Sequence, residues 1–347
     1  MRSSRATRAA CSSWSSGPRR RALQEVSEPV ARLIIENWQR PPPARRYMPR
    51  AFLWRRSRAA PFEAAGEILE RWDPVLVSGR DGAWQQTRAA LGDEQGDNDD
   101  EDDRTGLGAI LYPHVFGYRL QMALLTHPRF PRPIWNALQI RNRFTQHGAW
   151  WTHRTLRLET RATQHRYLAR GVELDLTTTM RVGDQCLWES VVTYWYRGGS
   201  RAPDAAMTTA TSSQATTATP EVERPNLDDA STAATLQLPA DGGWRFARLT
   251  GDYNGIHWLK PYARAFGYAA PFLHSQRAVA ACLRELRRAR RSDASAQRLD
   301  LWLKGPVFYG DAATLHSVTC EGAIDFGLFV PKDERPAIVG RWVQGPA

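Results

Sequence analysis

The stretch that decides how this chain is interpreted is LTGDYNGIHWLKPYARAFG, Leu249–Gly267. It places a carboxylate, Asp252, five residues before an imidazole, His257, with the amide of Asn254 between them. An Asp and a His held near one water molecule can divide the proton transfers of a reaction between them. An Asn amide can fix one of the two by a hydrogen bond. The residue types therefore predict a site of acid/base chemistry.

Other interpretations of this stretch stay open from the residues alone. Gly251 and Gly255 permit the looped backbone that would let both side chains converge. However, Asp252, Asn254 and Gly255 are also favoured in ordinary turns, and His257 can be a buried histidine with satisfied hydrogen bonds. One histidine and one carboxylate supply too few ligands for a metal, and no second nearby histidine at metal-ligand spacing accompanies them. The sequence therefore predicts no metal site.

The composition is that of a globular protein without a membrane span. The 347 residues are 42% hydrophobic and include 14 Trp and 11 Phe, and this length suits two domains of ordinary size. No stretch approaches the 18 to 20 apolar residues that cross a bilayer. The four cysteines, Cys11, Cys186, Cys282 and Cys320, have no CxxC pairing, which favours reduced thiols over a zinc site or disulfides. We therefore expect a soluble, cytoplasmic protein without membrane insertion.

The net charge of +11 is concentrated at the start of the chain. The first 24 residues contain six Arg and no acidic residue, which leaves +5 for the rest. No basic stripe belongs to a nucleic-acid-binding module, so we expect no nucleic-acid partner, whereas a diffuse excess suits a substrate that carries phosphates. Residues 1–45 are predicted to be a disordered or targeting tail. If the Arg/Ser-rich start is a transit peptide, the location is the mitochondrial matrix instead.

Low-complexity segments divide the rest of the chain. The acidic run DEQGDNDDEDD at 93–103 is predicted to be a solvated loop, because its carboxylates repel one another. The segment PDAAMTTATSSQATTATP at 203–220 has almost nothing to bury, and we predict a flexible linker over 200–235. The predicted domains are therefore an N-terminal one at 46–199 and a C-terminal one at 236–347.

Both domains show a helix followed by strands. In the first, Val115–Pro128 has helical spacing of apolar residues, and Thr152–Ala162, Tyr167–Val182 and Cys186–Gly198 alternate as strands of an antiparallel meander. In the second, His274–Arg291 has an apolar face of Val279, Cys282, Leu283, Leu286 and Ala289, and strand-like stretches follow it. The pattern predicts an α+β fold in which each half lays an antiparallel sheet around a long helix.

The stretch Leu249–Gly267 resembles the signature of the MaoC-like dehydratases, the (R)-specific enoyl-CoA hydratase 2 group. Their Gly-Asp-x-Asn-Pro-x-His motif is followed after five residues by a small residue, and the matching positions here are Gly251, Asp252, Asn254, His257 and Ala263. The similarity continues through PYARAFGYAAPFLH and, more weakly, LKGPVFYGD at 303–311. It covers about the last 110 residues.

The resemblance implies a double hot-dog fold in which one half keeps the acid/base motif. The first half contains no Asp-x-Asn-x-x-His and is the degenerate one. The implied activity is reversible hydration of a 2-enoyl-CoA, or of an acyl-carrier-protein ester, to a 3-hydroxyacyl thioester. Asp252 and His257 would be the catalytic pair, supported by Asn254. No cofactor is implied beyond the coenzyme A or carrier protein that forms part of the substrate.

The resemblance also suggests substrate-binding residues and partners. Gly251, Gly255, His274 and Ser275 would contact the substrate, and backbone N–H groups at the helix start at His274 and Ser275 would hold the enolate. The chain departs from the family at Gly255, where proline is usual, and at Ser275, where glycine is usual. The expected partners are the acyl thioester and a second copy in a homodimer. A hot-dog thioesterase and a non-catalytic acyl-thioester-binding protein are the alternatives.

Overall fold

The computed structural model describes residues 33–53, 62, 67–76, 87, 91, 107–197, 222–241, 243–289, 296–320, 322–331 and 333–345. The predicted acidic loop at 93–103 and most of the predicted tail lie outside these residues. All the described residues belong to one compact unit, Leu33–Ala347.

Eleven strands form a single sheet in the part of the chain that the structure describes. Their bounds are β1 Ile34–Trp38, β2 Ile68–Leu76, β3 Ala137–Gln146, β4 Thr155–Leu168, β5 Gly171–Val182, β6 Gln185–Arg197, β7 Ser231–Gln237, β8 Gln297–Leu303, β9 Ala312–Cys320, β10 Ala323–Phe329 and β11 Ile338–Gln344. The spatial order is β1-β2-β4-β5-β6-β3-β8-β11-β10-β9-β7. The first six strands thus occupy one side of the sheet and the last five the other. Every neighbouring pair is antiparallel except β1 and β2.

Five α-helices accompany the sheet in the described residues: α1 Ala44–Leu53, α2 Leu107–Leu125, α3 Trp244–Thr250, α4 Lys260–Ala265 and α5 Ser275–Ala289. The long helices α2 and α5 are the predicted central helices of the two halves, and they pack against each other. On α5 the predicted apolar face is buried, with Val279, Cys282, Leu283 and Leu286 at most 3% exposed. Helix α2 begins eight residues earlier than predicted, because Ile110, Leu111 and Tyr112 are all buried and leave no amphipathic pattern.

The two halves meet where β3 pairs with β8. Arg141 lies opposite Trp302 and Gln146 lies opposite Gln297. The amide of Gln297 donates to Gln146 at 2.9 Å and accepts from the indole of Trp342 at 2.9 Å, all three side chains being buried. Buried polar groups that satisfy one another in this way fix the strand register at the junction. The predicted meander is present as β4, β5 and β6.

Two predicted boundaries are wrong. The tail was placed at 1–45, but β1 and the beginning of α1 already lie within it, and Ile34 pairs with Ile68. The prolines at 41–43 lie between β1 and α1, within the fold. The linker was placed at 200–235, but β7 begins at Ser231 and pairs with β9. Its small, polar residues are tolerated because β7 is an edge strand and largely exposed.

None of the helices in the described residues is long and apolar enough to cross a membrane.

Candidate active site

The motif-bearing part of Leu249–Gly267 folds into a loop between the two short helices α3 and α4. Helix α3 ends at Thr250, and Gly251 follows in the left-handed conformation with φ of 75°. This is the conformation glycine adopts most readily after a helix. The backbone then folds on side chains of its own: the hydroxyl of Thr250 accepts the N–H of Asp252 at 3.2 Å, and Asp252 Oδ1 accepts the N–H of Asn254 at 3.1 Å. One carboxylate oxygen of Asp252 is therefore used to hold the loop, and Oδ2 is left for other contacts.

Asn254 supports the loop by capping a single 3-10 turn, Gly255–His257. Its Oδ1 accepts the N–H of Ile256 at 3.3 Å. The hydroxyl of Tyr309 donates to the carbonyl of His257 at 2.9 Å and holds the other end of the turn. The predicted hydrogen bond from the Asn254 amide to a catalytic partner is replaced by this cap, so Asn254 acts on the path of the backbone.

The imidazole of His257 is oriented by its neighbours. Its Nδ1 lies 2.9 Å from the carbonyl of Phe272, which can only accept, so Nδ1 carries the proton of the neutral ring. Nε2 is then the bare nitrogen, and it lies 3.8 Å from Oδ2 of Asp252. Burial lowers the pKa of His257 below its usual 6.5, opposed by the Asp252 carboxylate and the bond to Phe272. Two proton acceptors thus face each other across a gap that is too wide for a direct hydrogen bond.

His274 lies directly behind this pair. Its ring stacks on that of His257 with centroids 3.8 Å apart and planes at 22°. Its Nε2 is 3.4 Å from the backbone carbonyl of Asp252 and 3.9 Å from the carboxylate oxygen Oδ2. Burial, with the neighbouring His257, lowers the pKa of His274 well below its usual value, so the ring is neutral. A neutral ring here supports the Asp252 backbone and packs on His257.

The three ligating atoms of Asp252, His257 and His274 lie within 4.8 Å of one another, a grouping that sequence spacing did not reveal. The near-parallel stacking of the two imidazoles makes it a poor metal site. A histidine nitrogen binds a metal along its in-plane lone pair, and the lone pairs of two stacked rings do not converge on one point.

The N-terminal half holds the loop from behind. Tyr47 of α1, which is 1% exposed, donates its hydroxyl to the carbonyl of Gly251 at 3.1 Å. Arg119 of α2 donates to the carbonyl of Leu249 at 2.8 Å and also to that of Arg248, at the C-terminal end of α3. A Cβ on Gly251 would lie 1.8 Å from the Tyr47 oxygen, so glycine is required here by space as well as by conformation.

A pocket of about 220 Å³ opens onto the Asp252 and His257 side chains. Residues of both halves line it, including Tyr118 and Gln139 from the first half and Lys304 from the second. Ser275, the first residue of α5, also lines it. The first N–H groups of a helix have no partner within the helix, so this end of α5 presents donors to the pocket.

The structure brings together most of the residues predicted for the site. Asp252, Asn254, His257, His274 and Ser275 all line the pocket. Gly251 and Gly255 are not among its lining residues, and their role as substrate-binding residues stays a prediction. Gly251 faces Tyr47, and a Cβ on Gly255 would lie 2.8 Å from the ring of Tyr262, so both allow close packing behind the loop.

The sequence did not predict which residues of the first half line the pocket. Tyr118, Gln139 and Tyr194 stand more than 50 residues before the motif, and no local spacing connects them to it. The signal that was available is indirect: polar residues such as His114 and Gln121 interrupt an otherwise apolar helix and are buried there. Buried polar groups of this kind are often found near sites.

The fold and the site together define a double hot-dog protein with one Asp/His pair. No protein-family model matches the chain. The 3-hydroxyacyl-thioester dehydratase X of Mycobacterium tuberculosis is similar in sequence, with 26% identity over 219 residues that cover 63% of this chain and 72% of that protein.

Solved structures of other proteins have the same double hot-dog fold. The crystal structure of HtdX from Mycobacterium tuberculosis superposes with a TM-score of 0.60, at 21% identity over 80% of this chain and 99% of the other. A MaoC-like dehydratase from Phytophthora capsici gives a TM-score of 0.56, at 17% identity over 76% of this chain and 93% of the other. The α+β double hot-dog fold and the resemblance to MaoC-like dehydratases are thereby confirmed.

Proposed function

We propose that the chain is a carbon-oxygen lyase that hydrates a 2-enoyl thioester reversibly to a 3-hydroxyacyl thioester. The observation that carries this proposal is the facing arrangement of Asp252 Oδ2 and His257 Nε2, 3.8 Å apart, in a pocket that both halves line. The sequence similarity to a 3-hydroxyacyl-thioester dehydratase supports the same substrate class.

Two acceptors at this separation suit a water molecule that donates one hydrogen bond to each. In hydration, the water oxygen forms a bond to the β-carbon of the enoyl group, and one of its protons passes to His257 or Asp252. The electrons of the carbon–carbon double bond move toward the thioester carbonyl, which becomes an enolate. A proton from the same pair then reaches the α-carbon, so that water is added across the double bond. Dehydration is the reverse of these steps.

The enolate oxygen needs hydrogen-bond donors that are in place before the reaction. The start of α5 supplies them, because Ser275 lines the pocket and its N–H belongs to the first turn of the helix. Serine in place of the family's glycine keeps this N–H. The pocket wall formed by the first half supports a role for that half in enclosing the acyl chain.

The carrier on the thioester is coenzyme A or acyl carrier protein, and the reaction as written needs no redox or metal cofactor. We propose a cytoplasmic location on the basis of the thiols, since Cys186, Cys282 and Cys320 form no disulfide. The homodimer expected from the sequence stays a prediction, and size-exclusion chromatography with light scattering tests it.

Product analysis tests the proposed reaction. Crotonyl-CoA incubated with the protein is expected to yield 3-hydroxybutyryl-CoA without free thiol, measured by liquid chromatography with mass spectrometry and by a thiol reagent. Release of coenzyme A at the rate of substrate loss would instead establish a thioesterase. Unchanged substrate with every enoyl chain length and carrier tried would contradict the proposal.

A further inference from the structure

The side chain of Gln139 carries a buried hydrogen-bond donor that no described residue uses. Gln139 lies on β3, in the middle of the sheet, just before the irregularity in its pairing with β6. It lines the same pocket as Asp252 and His257. Its amide nitrogen Nε2 is fully buried and has no hydrogen-bond partner among the described residues.

The orientation of this amide follows from the groups around its oxygen. Oε1 lies 3.5 Å from the hydroxyl of Ser275 and 3.5 Å from Nε2 of Gln276. The same nitrogen of Gln276 is 2.9 Å from Nε2 of His114. Burial lowers the pKa of His114 to about 3, so this ring is neutral and can accept. In the orientation that the structure records, the Gln276 nitrogen donates on both sides, and Gln139 directs its oxygen toward Gln276 and Ser275.

The nitrogen of Gln139 is therefore left for a group that is not part of the protein. Buried N–H donors without a partner are rare in folded proteins, and those that occur are often found where a ligand supplies the acceptor. In an acyl thioester the carbonyl oxygen is the strong acceptor, whereas the sulfur is a weak one and an aliphatic acyl chain has none.

We propose that Gln139 is a further catalytic residue, whose Nε2 donates to the thioester carbonyl oxygen next to the helix-start N–H of Ser275. This inference rests on the proposed function. The contact of Gln139 with the Ser275 side chain places the amide beside the first residue of α5. The N-terminal half, which has no acid/base motif, then contributes one donor of a two-donor oxyanion site, and the reacting atoms lie between the two halves.

Substitution of Gln139 by Met tests the proposal, because Met keeps the unbranched shape and removes the donor. We expect kcat for hydration of crotonyl-CoA to fall by about a hundredfold to a thousandfold, as for loss of one oxyanion donor, with a much smaller change in KM. The matched control is Gln185→Met, at an exposed position at the start of β6, which should leave both constants unchanged. An unchanged kcat in Gln139→Met would overturn the proposal.

A measurement that does not depend on turnover separates this proposal from the function on which it rests. The carbonyl stretch of ¹³C-labelled butyryl-CoA, which cannot be hydrated, is read by infrared difference spectroscopy when bound to the protein. We expect a higher frequency in Gln139→Met than in the unmodified protein, because the carbonyl loses a donor. Equal frequencies would overturn the Gln139 assignment, whereas failure to hydrate any enoyl thioester would overturn the proposed function alone. If Gln139→Met does not fold, Gln139→Leu serves, since its side chain is apolar, similar in volume and without a donor.

Discussion

At the scale of single residues, the site depends on a short loop whose side chains hold its own backbone. Asp252 and Asn254 each accept a hydrogen bond, through one side-chain oxygen, from the backbone N–H two residues ahead. A stretch that favours turns can therefore also carry the proposed catalytic groups, because the loop geometry directs Asp252 Oδ2 and His257 Nε2 toward each other. The loop hydrogen bonds agree with the turn interpretation of the sequence, and the acid/base interpretation of the same residues stays a prediction.

Tyr47 should be a positioning residue for this loop. Its hydroxyl donates to the carbonyl of Gly251, the residue before Asp252, from a helix 204 residues away in sequence. We expect Tyr47→Phe to lower kcat by about tenfold with little change in KM, because a small displacement of a catalytic group is costly. It should also lower the free energy of unfolding by about 1 to 3 kcal/mol, because a buried carbonyl loses its donor.

The control for Tyr47 is Tyr262→Phe. The ring of Tyr262 packs against Gly255, and phenylalanine keeps that contact. Steady-state kinetics and urea unfolding of the two variants should therefore differ. A Tyr47→Phe protein with the kinetics of the unmodified one would show that α1 plays no part in orienting the loop.

Local sequence could reveal Asp252 and His257 because five residues separate them, but it could not reveal Tyr47 or Gln139. Both stand in the other half and reach the site through the tertiary fold. Their residue types, a tyrosine in a short helix and a glutamine in a strand, are ordinary in such elements.

At the scale of secondary-structure elements, the pairing of β3 with β8 joins the two halves. Arg143 of β3 donates to Asp300 of β8 at 2.6 Å, and the Asp300 side chain is 4% exposed. Arg143→Met leaves a buried carboxylate with only the partly exposed Arg298 as a described ion-pair partner. We expect the free energy of unfolding to fall by about 3 kcal/mol, measured by urea denaturation, since breaking a buried pair is strongly destabilising.

Arg335→Met is the surface counterpart of Arg143→Met. Arg335 pairs with Asp333, but its side chain is 87% exposed. Such pairs contribute about 0 to 1 kcal/mol. Equal effects of the two substitutions would contradict the view that the β3–β8 pair is a structural junction.

The elements that the sequence predicted best are those whose apolar residues recur at a regular spacing and whose other face is exposed to solvent. Helix α5 begins at Ser275, one residue after the predicted start. Strand β6 matches its predicted stretch to within one residue at each end, and β5 ends at the predicted Val182. The sequence pattern does not predict β3, because this strand lies at the centre of the sheet and carries buried polar residues, including Asn142 and Gln146, that break the alternation. Gln146, one of these residues, forms part of the junction with β8.

At the scale of the whole molecule, buried neutral histidines link stability to pH. Burial lowers the pKa of His114 to about 3 and lowers those of His257 and His274 as well. Between their folded pKa values and about 6.5, the unfolded chain binds protons that the folded protein does not. Stability from these groups is therefore complete above about pH 6.5 and is lost as the pH falls. Glu70 has the opposite effect on the pH dependence of stability, because burial raises its pKa to about 7. Its contribution is complete at low pH and is lost as the pH rises through about 7.

His114→Gln isolates one of these contributions. Glutamine keeps an acceptor for Gln276 and cannot be protonated. We expect the loss of stability between pH 6.5 and pH 5 to be smaller in this variant than in the unmodified protein, by about 2 kcal/mol. Urea unfolding at the two pH values measures the difference. An identical pH dependence in both proteins would contradict the assignment of His114 as a buried neutral group.

In the proposed reaction, Asp252 and His257 act together on water and an enoyl thioester. The most direct test is the loss of the conjugated double-bond absorbance of crotonyl-CoA and of a longer enoyl-CoA, comparing the unmodified protein with Asp252→Asn and His257→Ala. We expect hydration by the unmodified protein and a fall of about a hundredfold or more in each variant, as for general acid/base groups. Hydration that survives both substitutions in folded protein would contradict it.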